Sequence, residues 1–455
     1  MSPAAAPDVL STGSVHVIGV GLLGRASLPP PLLKLIESAT LLIGAPRHLE
    51  AFSDLPTEAW PLGNFTQVFE QLRSRLETDL NIRAVVLASG DPLFFGIGRL
   101  LLTVFPPEQL VFHPQVSAIQ LAFSRLKLPW QDATLISVHG RGEAKLVQVL
   151  KRGDRKIAVL TDGVLTPGAI AALIVALDLP ISYRLWVCEN LGAECERLSV
   201  HWPDQLLSQG FAPLNVVVLL RQQPDVDCLE SPHSSQPPLQ RLAPLPLIGL
   251  PDSVFTGFPD RPTLMTKREI RLLILGALAP SADQTIWDIG AGTGAVSIEL
   301  SRLCPTAHLY AIEKTAIGAA LIRHNAQRLA IAPIHTIQGQ APAALTDLPN
   351  PDCVFIGGSS SQLVAILDFL NGKMATASTV SGRIVLALAT LEHLSQVTTW
   401  LAQRAIANTW HSQLTQINIS RSLPVGTLTR FSPLNPVTLV TLSRIVDPVA
   451  GSPKS

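Results

Sequence analysis

Nine prolines fall between Arg221 and Pro262, among serines and glutamines. A proline inside a helix removes a backbone hydrogen bond and clashes with the preceding turn, and inside a central strand it removes a ladder bond. The stretch therefore sustains neither element and divides the chain in two. At 455 residues the chain is also longer than one hydrophobic core ordinarily serves. The predicted division is a first domain over 14–221, a proline-rich linker over 222–248 and a second domain over 249–445, ending in a disordered tail.

On both sides of the prolines, short apolar runs alternate with helix-like stretches. Val15–Val20, Ala84–Ala88, Ile157–Leu160, Leu185–Cys188 and Val216–Leu220 read as strands of the first domain. The alternation restarts with a helix at Lys267–Leu278 and strands at Thr285–Ile289, Leu309–Ile312, Cys353–Ile356 and Ile384–Leu388. Gln413–Ser420 and Val437–Ser443 read as a closing antiparallel pair, joined by a loop with Pro424, Gly426 and Pro433. Both domains are thus expected to be α/β, and a composition of 47% apolar and 15% charged residues suits strands buried on both faces.

Lysine plus arginine equals aspartate plus glutamate at 34 each, so no global field draws nucleic acid or an anionic membrane, and any anion must be held by local groups. The five cysteines are scattered without zinc-site spacing, and no metal site is expected. Every apolar run is interrupted before the roughly 18–20 residues that span a bilayer. Met1–Leu10 lacks the basic and apolar regions of a secretory signal. A cytoplasmic, homo-oligomeric protein is the expectation.

Trp287-Asp288-Ile289-Gly290-Ala291-Gly292-Thr293-Gly294 follows a predicted strand and opens a helix, which turns backbone amides and a helix N-terminus toward a ligand. Glu313, nineteen residues past Gly294 and at the end of the next strand, can accept hydrogen bonds from ribose hydroxyls. A dinucleotide fingerprint needs its third glycine five residues after its first, whereas Gly294 lies four after Gly290. The spacing points to S-adenosylmethionine as cofactor; the bland alternative is a set of tight-turn glycines.

Together with Thr266-Lys267-Arg268-Glu269-Ile270-Arg271, Gly339-Gln340-Ala341-Pro342 and Asp352 to Gly358, this loop resembles the carbon-15 methyltransferase and decarboxylase domain of cobalamin biosynthesis, over about residues 249–445. The resemblance implies a doubly wound, Rossmann-like class I methyltransferase fold. It also implies that Thr266, Gly290, Gly292, Gly294, Glu313 and Ala341 line the S-adenosylmethionine pocket, and that Gly357 and Gly358 border a tetrapyrrole cleft; Asp288, which opens the loop, is a further expected cofactor contact. The chain departs from the pattern at Ala387, where the family carries asparagine.

In the first domain Gly19-Val20-Gly21-Leu22-Leu23-Gly24 has dinucleotide spacing, but Pro29, Pro30 and Pro31 are expected to hold back the helix until after Pro31, so a nicotinamide site is rejected. Gly44 to Leu49, Ser89 to Gly98, Ser137 to Arg141, Leu160 to Gly163 and Cys188 to Gly192 instead resemble, in order, the carbon-5 methyltransferases among the tetrapyrrole methylases, which have a two-lobed fold. That resemblance makes Gly19, Gly21, Gly90 and Asp91 the expected cofactor contacts. Asp91, on the Gly90-Asp91-Pro92 turn, offers a carboxylate near a cationic sulfonium. His139 is a candidate proton acceptor and Arg141 a candidate partner for a substrate propionate or acetate. An Asp-Pro turn at Asp91 and surface roles for His139 and Arg141 are the alternatives.

Both halves together resemble the fused family that methylates precorrin-6Y at carbons 5 and 15 with decarboxylation. Open alternatives are the same chemistry on cobalt-containing intermediates, and a single active methyltransferase domain beside a substrate-docking first domain.

Overall fold

The computed structural model describes residues 14–79, 81–138, 142–222, 245–331, 334–359, 361–375, 382–403, 406, 409–425 and 428–445. His139, Arg141 and most of the predicted linker lie outside them. The chain forms two compact units, one of Met1–Leu146, Arg155–Ile170 and Arg184–Leu220, the other of Val147–Asp154, Ala171–Tyr183 and Arg221–Ser455.

The first unit begins with five strands, β1 (Val15–Val20), β2 (Leu41–Gly44), β3 (Glu58–Pro61), β4 (Ala84–Ser89) and β5 (Leu110–His113), in a parallel sheet of order β3-β2-β4-β1-β5. Alternate residues face opposite sides of a strand. Val15, Val17, Val86 and Ala88 accordingly join one buried cluster, while Ile18, Val20, Val85 and Leu87 join the other. A second five-stranded sheet, of order β6-β7-β10-β8-β9, comprises β6 (Thr134–Ser137), β7 (Lys156–Leu160), β8 (Ser182–Glu189), β9 (Arg197–His201) and β10 (Asn215–Gln222). It is mixed, since β6 runs parallel to β7 whereas β10 and β9 pair antiparallel with β7 and β8.

One expectation is corrected after β1. A short 3-10 turn at Gly24–Ser27 follows the glycine loop, and the helix starts at Pro30 rather than beyond Pro31. Prolines at the first helical positions cost nothing, because their missing N–H groups would have no intrahelical partner there.

The second unit is built on seven strands, β11 (Thr285–Ile289), β12 (His308–Glu313), β13 (His335–Gln338), β14 (Cys353–Ile356), β15 (Arg383–Leu388), β16 (Trp410–Ile417) and β19 (Val437–Arg444). Their order is β13-β12-β11-β14-β15-β19-β16, with the first five parallel and β19 antiparallel to both neighbours. This is a doubly wound sheet whose strand order reverses beside β11, where ligands of open α/β sheets bind. Both faces are covered: Trp287, Ile289, Val354, Ile356, Ile384 and Leu386 enter one cluster, and Ile286, Cys353, Phe355 and Val385 the other.

The closing pair β16–β19 forms as expected, but its connection is not a simple loop. It contains a further hairpin, β17 (Ser420–Val425) with β18 (Leu428–Pro433), paired antiparallel. Pro424 and Pro433 are tolerated because this two-stranded ribbon has only edges, where a missing N–H breaks no central ladder.

The last part of the proline-rich stretch, from residue 249 on, packs into the second unit, where the predicted second domain begins. It has a helical turn at Asp252–Val254, and Leu250, Val254 and Phe255 are buried against Ala295, Ile298 and Ala326. A buried ion network holds it. Arg271 donates to Asp252 at 2.7 Å and Glu299 at 3.1 Å, all three fully buried. Glu299 also accepts from the backbone N–H groups of Gly249 and Leu250.

Candidate functional site

In the second unit a cavity of about 710 Å³ opens at the ends of β11, β12, β14 and β15. Its floor is the turn between β11 and the helix Ala295–Leu303. The three glycines of that turn have φ of +73°, +58° and +78° at Gly290, Gly292 and Gly294, a region that side chains disfavour. They do different work. A Cβ on Gly290 would sit 2.3 Å from the Gly358 carbonyl oxygen, and one on Gly294 3.2 Å from Ile322. Those two serve the protein's own packing. A Cβ on Gly292 would meet nothing nearer than the Phe258 ring at 3.8 Å. Gly292 therefore leaves open the space that a ligand approaching the backbone needs.

Glu313, at the end of β12 and almost buried, fastens this turn. Its Oε2 accepts from the Gly292 N–H at 3.0 Å, and its Oε1 accepts from the N–H and hydroxyl of Thr315 at 3.0 and 2.8 Å. A carboxylate offers about four lone-pair sites, so three are in use and Oε2 keeps one for a ligand hydroxyl. Gly318 makes room for it, since a Cβ there would lie 2.4 Å from the Glu313 Cγ.

Asp288 is fully buried on β11. Its Oδ2 accepts from the Ser297 hydroxyl at 2.5 Å, while its Oδ1 has no protein partner. Burial, reinforced by the nearby Glu313 and opposed by Ser297, pushes its pKa up to about 7. An unpaired buried oxygen is costly, and Asp288 lines the cavity.

The structure thus brings Thr266, Asp288, Gly290, Gly292, Glu313, Ala341, Gly357 and Gly358 to one cavity. Gly294 stands behind its wall as the N-cap of the following helix. Lys267, Ile419, Arg421, Leu423 and Ser432 also line it, and sequence reasoning did not single them out. Arg421, on β17, donates to Glu269 at 2.8 and 2.7 Å and to Asp252 at 3.0 Å, fastening the hairpin to the buried network.

In the first unit the candidate residues gather at the ends of β1, β4 and β5. A Cβ on Gly19 would fall 1.9 Å from the Gly90 carbonyl oxygen and 2.8 Å from the Gln115 nitrogen, so this glycine lets three strand ends close on one another. The first loop is tied down by Ser27, whose Oγ accepts from the Gly21 N–H at 3.0 Å and donates to the Gly24 carbonyl at 2.7 Å. Gln115 donates to the Ser27 carbonyl at 2.7 Å. Gly90 has φ +62°. Asp91 follows it, half-buried, and spends Oδ1 on the Leu93 N–H at 2.9 Å. Oδ2 makes no hydrogen bond among the described residues, so the carboxylate both shapes the turn and keeps an oxygen free. The later glycines of this motif fold the chain back on itself, because a Cβ on Gly96 or Gly98 would lie 2.5 or 2.8 Å from the Pro92 carbonyl oxygen.

Comparison with known proteins divides the chain in the same order. Residues 14–203 match the tetrapyrrole (corrin/porphyrin) methylases and residues 260–444 the precorrin methyltransferase domain. A precorrin-6Y C(5,15)-methyltransferase (decarboxylating) from a Sinorhizobium species is 34% identical over 427 residues, 93% of this chain and 94% of the relative. Two Salmonella typhimurium proteins match parts of the chain. A cobalt-precorrin-7 C(5)-methyltransferase is 34% identical, covering 46% of this chain and 98% of its own length. A cobalt-precorrin-6B C(15)-methyltransferase (decarboxylating) is 33% identical, covering 39% and 87%.

Proposed function

The chain belongs to the family of precorrin-6Y C(5,15)-methyltransferases (decarboxylating), and from that membership we propose that it methylates precorrin-6Y at carbons 5 and 15 and removes carbon dioxide from an acetate side chain, giving precorrin-8X for cobalamin synthesis. The end-to-end match to a fused relative, 93% of one chain on 94% of the other, carries this reading. It also favours the metal-free substrate, because the relatives named for cobalt-precorrins match only parts of the chain.

S-adenosylmethionine is the proposed donor, and when bound it supplies a methyl group activated on a sulfonium. The second unit fits it: Gly292 leaves backbone open to a ligand, Glu313 keeps a lone pair, and Asp288 has an unpaired oxygen. In the first unit Gly21, Gly90 and Asp91 would hold the donor, with His139 and Arg141 proposed to take a proton and to bind a substrate carboxylate. Gly19 would act by shaping the strand ends.

Carbons of the corrin precursor are nucleophilic because ring nitrogens feed electron density to them, so neither half needs a covalent nucleophile. The protein's task is to align carbon, methyl and sulfur and to exclude water. Leu423 and Ile419 give the cavity of the second unit apolar wall for the second purpose. The conjugated macrocycle accepts the electron pair released when carbon dioxide leaves.

Incubation of the full chain with precorrin-6Y and labelled S-adenosylmethionine, followed by mass analysis, tests the proposal. Two methyl groups gained and one carbon dioxide lost is the expected result. Conversion of only a cobalt-loaded substrate would overturn the metal-free assignment, and conversion of neither the function.

A further inference from the structure

Lys267 belongs to a sequence motif that the cofactor contacts leave unexplained. It is the residue before the helix Arg268–Leu278 and has extended backbone, with φ −69° and ψ 153°. Its side chain is half-buried and lines the C-terminal cavity. The ammonium donates one hydrogen bond, to the Thr263 carbonyl at 2.9 Å. A lysine carries three donors, so two remain.

No carboxylate within the described residues forms an ion pair with it. The acids whose charge reaches it are already committed: Asp252 pairs with Arg271 at 2.7 Å and with Arg421 at 3.0 Å, and Asp178 accepts from the backbone N–H groups of Asp252 and Ser253 and lies 3.9 Å from Arg421. Burial, opposed by the charges of Asp252 and Asp178 and aided by those of Arg421 and Arg271, lowers the lysine's pKa. The N-terminus of the following helix adds a further partial positive charge. A desolvated cation with no carboxylate in direct contact is expensive in a folded protein, and here the cost falls on the wall of a cavity built for a ligand.

We propose that Lys267 is a carboxylate receptor of this cavity. The inference rests on the reading of the cavity given above. Two bound molecules could bring the carboxylate: the corrin precursor, through its acetate and propionate side chains, or the donor, through its amino-acid end. In either case the ammonium would form a charge-assisted hydrogen bond in a partly dry site.

The test is calorimetric titration of full-length wild type, Lys267→Met and Lys267→Arg with three probes: precorrin-6Y, S-adenosylhomocysteine and 5′-methylthioadenosine, which lacks the amino acid. Changes are read on the site that Glu313→Ala removes. Loss of a charged hydrogen bond predicts affinity falling about 10- to 100-fold in Lys267→Met, largely restored in Lys267→Arg. A fall for precorrin-6Y alone assigns the carboxylate to the substrate. A fall for S-adenosylhomocysteine with 5′-methylthioadenosine unchanged assigns it to the donor. Unchanged affinity for both carboxylate probes overturns the proposal, and so does an equal fall for all three, which marks a structural role. If wild type binds none of the three, the reading of the cavity fails and the proposal with it.

Discussion

Glu313 joins the turn to its prospective ligand. One carboxylate positions Gly292 and Thr315 and retains a single acceptor site. Glu313→Ala should therefore weaken S-adenosylhomocysteine at one of two sites per chain by about 1.5–3 kcal/mol or more. Calorimetry that finds both sites unchanged would refute the role. Asp288 gives a pH signature. Its folded pKa of about 7 lies above the ordinary 3.8, so its contribution to stability is full below pH 3.8 and is lost as pH rises toward 7. The buried His16 and His48 have the opposite sign: burial lowers both from 6.5 to about 4, so their contribution is present above pH 6.5 and lost as pH falls through 4. Asp288→Asn removes only the first effect. Its stability relative to wild type, from urea unfolding without ligand, should grow between pH 4.5 and 6.5 by up to about 1.4 kcal/mol per pH unit. A constant difference would show that Asp288 is ionised in the folded protein.

Among the elements, the β17–β18 hairpin is the one the sequence hid. Pro424 and Pro433 read as loop punctuation, and the hairpin is tied down by Arg421 reaching Glu269, 152 residues away in sequence. No local pattern announces such a contact. β13 was lost for a related reason: its His335-Thr336-Ile337-Gln338 holds one apolar residue, whereas the equally short β14 is a continuous apolar run. The strands beside the glycine turn were legible because strand, glycines and terminal acid occur there in a fixed order. Gly318 was passed over, although a glycine early in a helix calls for a reason; the fold reveals that Glu313 is that reason. Arg421→Ala should cost about 1.5–3 kcal/mol through lost charged hydrogen bonds and weaken precorrin-6Y binding by loosening a cavity wall. Urea unfolding with an unchanged midpoint would show that the hairpin is not held this way.

At the scale of the whole molecule, two unrelated glycine-loop designs occupy one chain. Gly292 with Glu313 belongs to a doubly wound sheet, while Gly90-Asp91-Pro92 sits at the ends of a parallel sheet in the other unit. Neither can substitute for the other, so each methylation should have its own site and its own sensitive residue. Asp91→Asn should remove one methylation and spare the other together with decarboxylation. Gly292→Val strains a backbone at φ +58° and fills the open side of the turn, so it should abolish the second methylation and carbon dioxide release. The decisive measurement is mass analysis of the product that each folded variant makes from precorrin-6Y and labelled S-adenosylmethionine, alone and in an equimolar mixture. Two independent sites predict that Asp91→Asn yields a decarboxylated product with one added methyl, and that the mixture restores both methyl groups and the loss of carbon dioxide. A mixture no more complete than its better component, or Gly292→Val protein that still completes all three steps, would contradict the assignment.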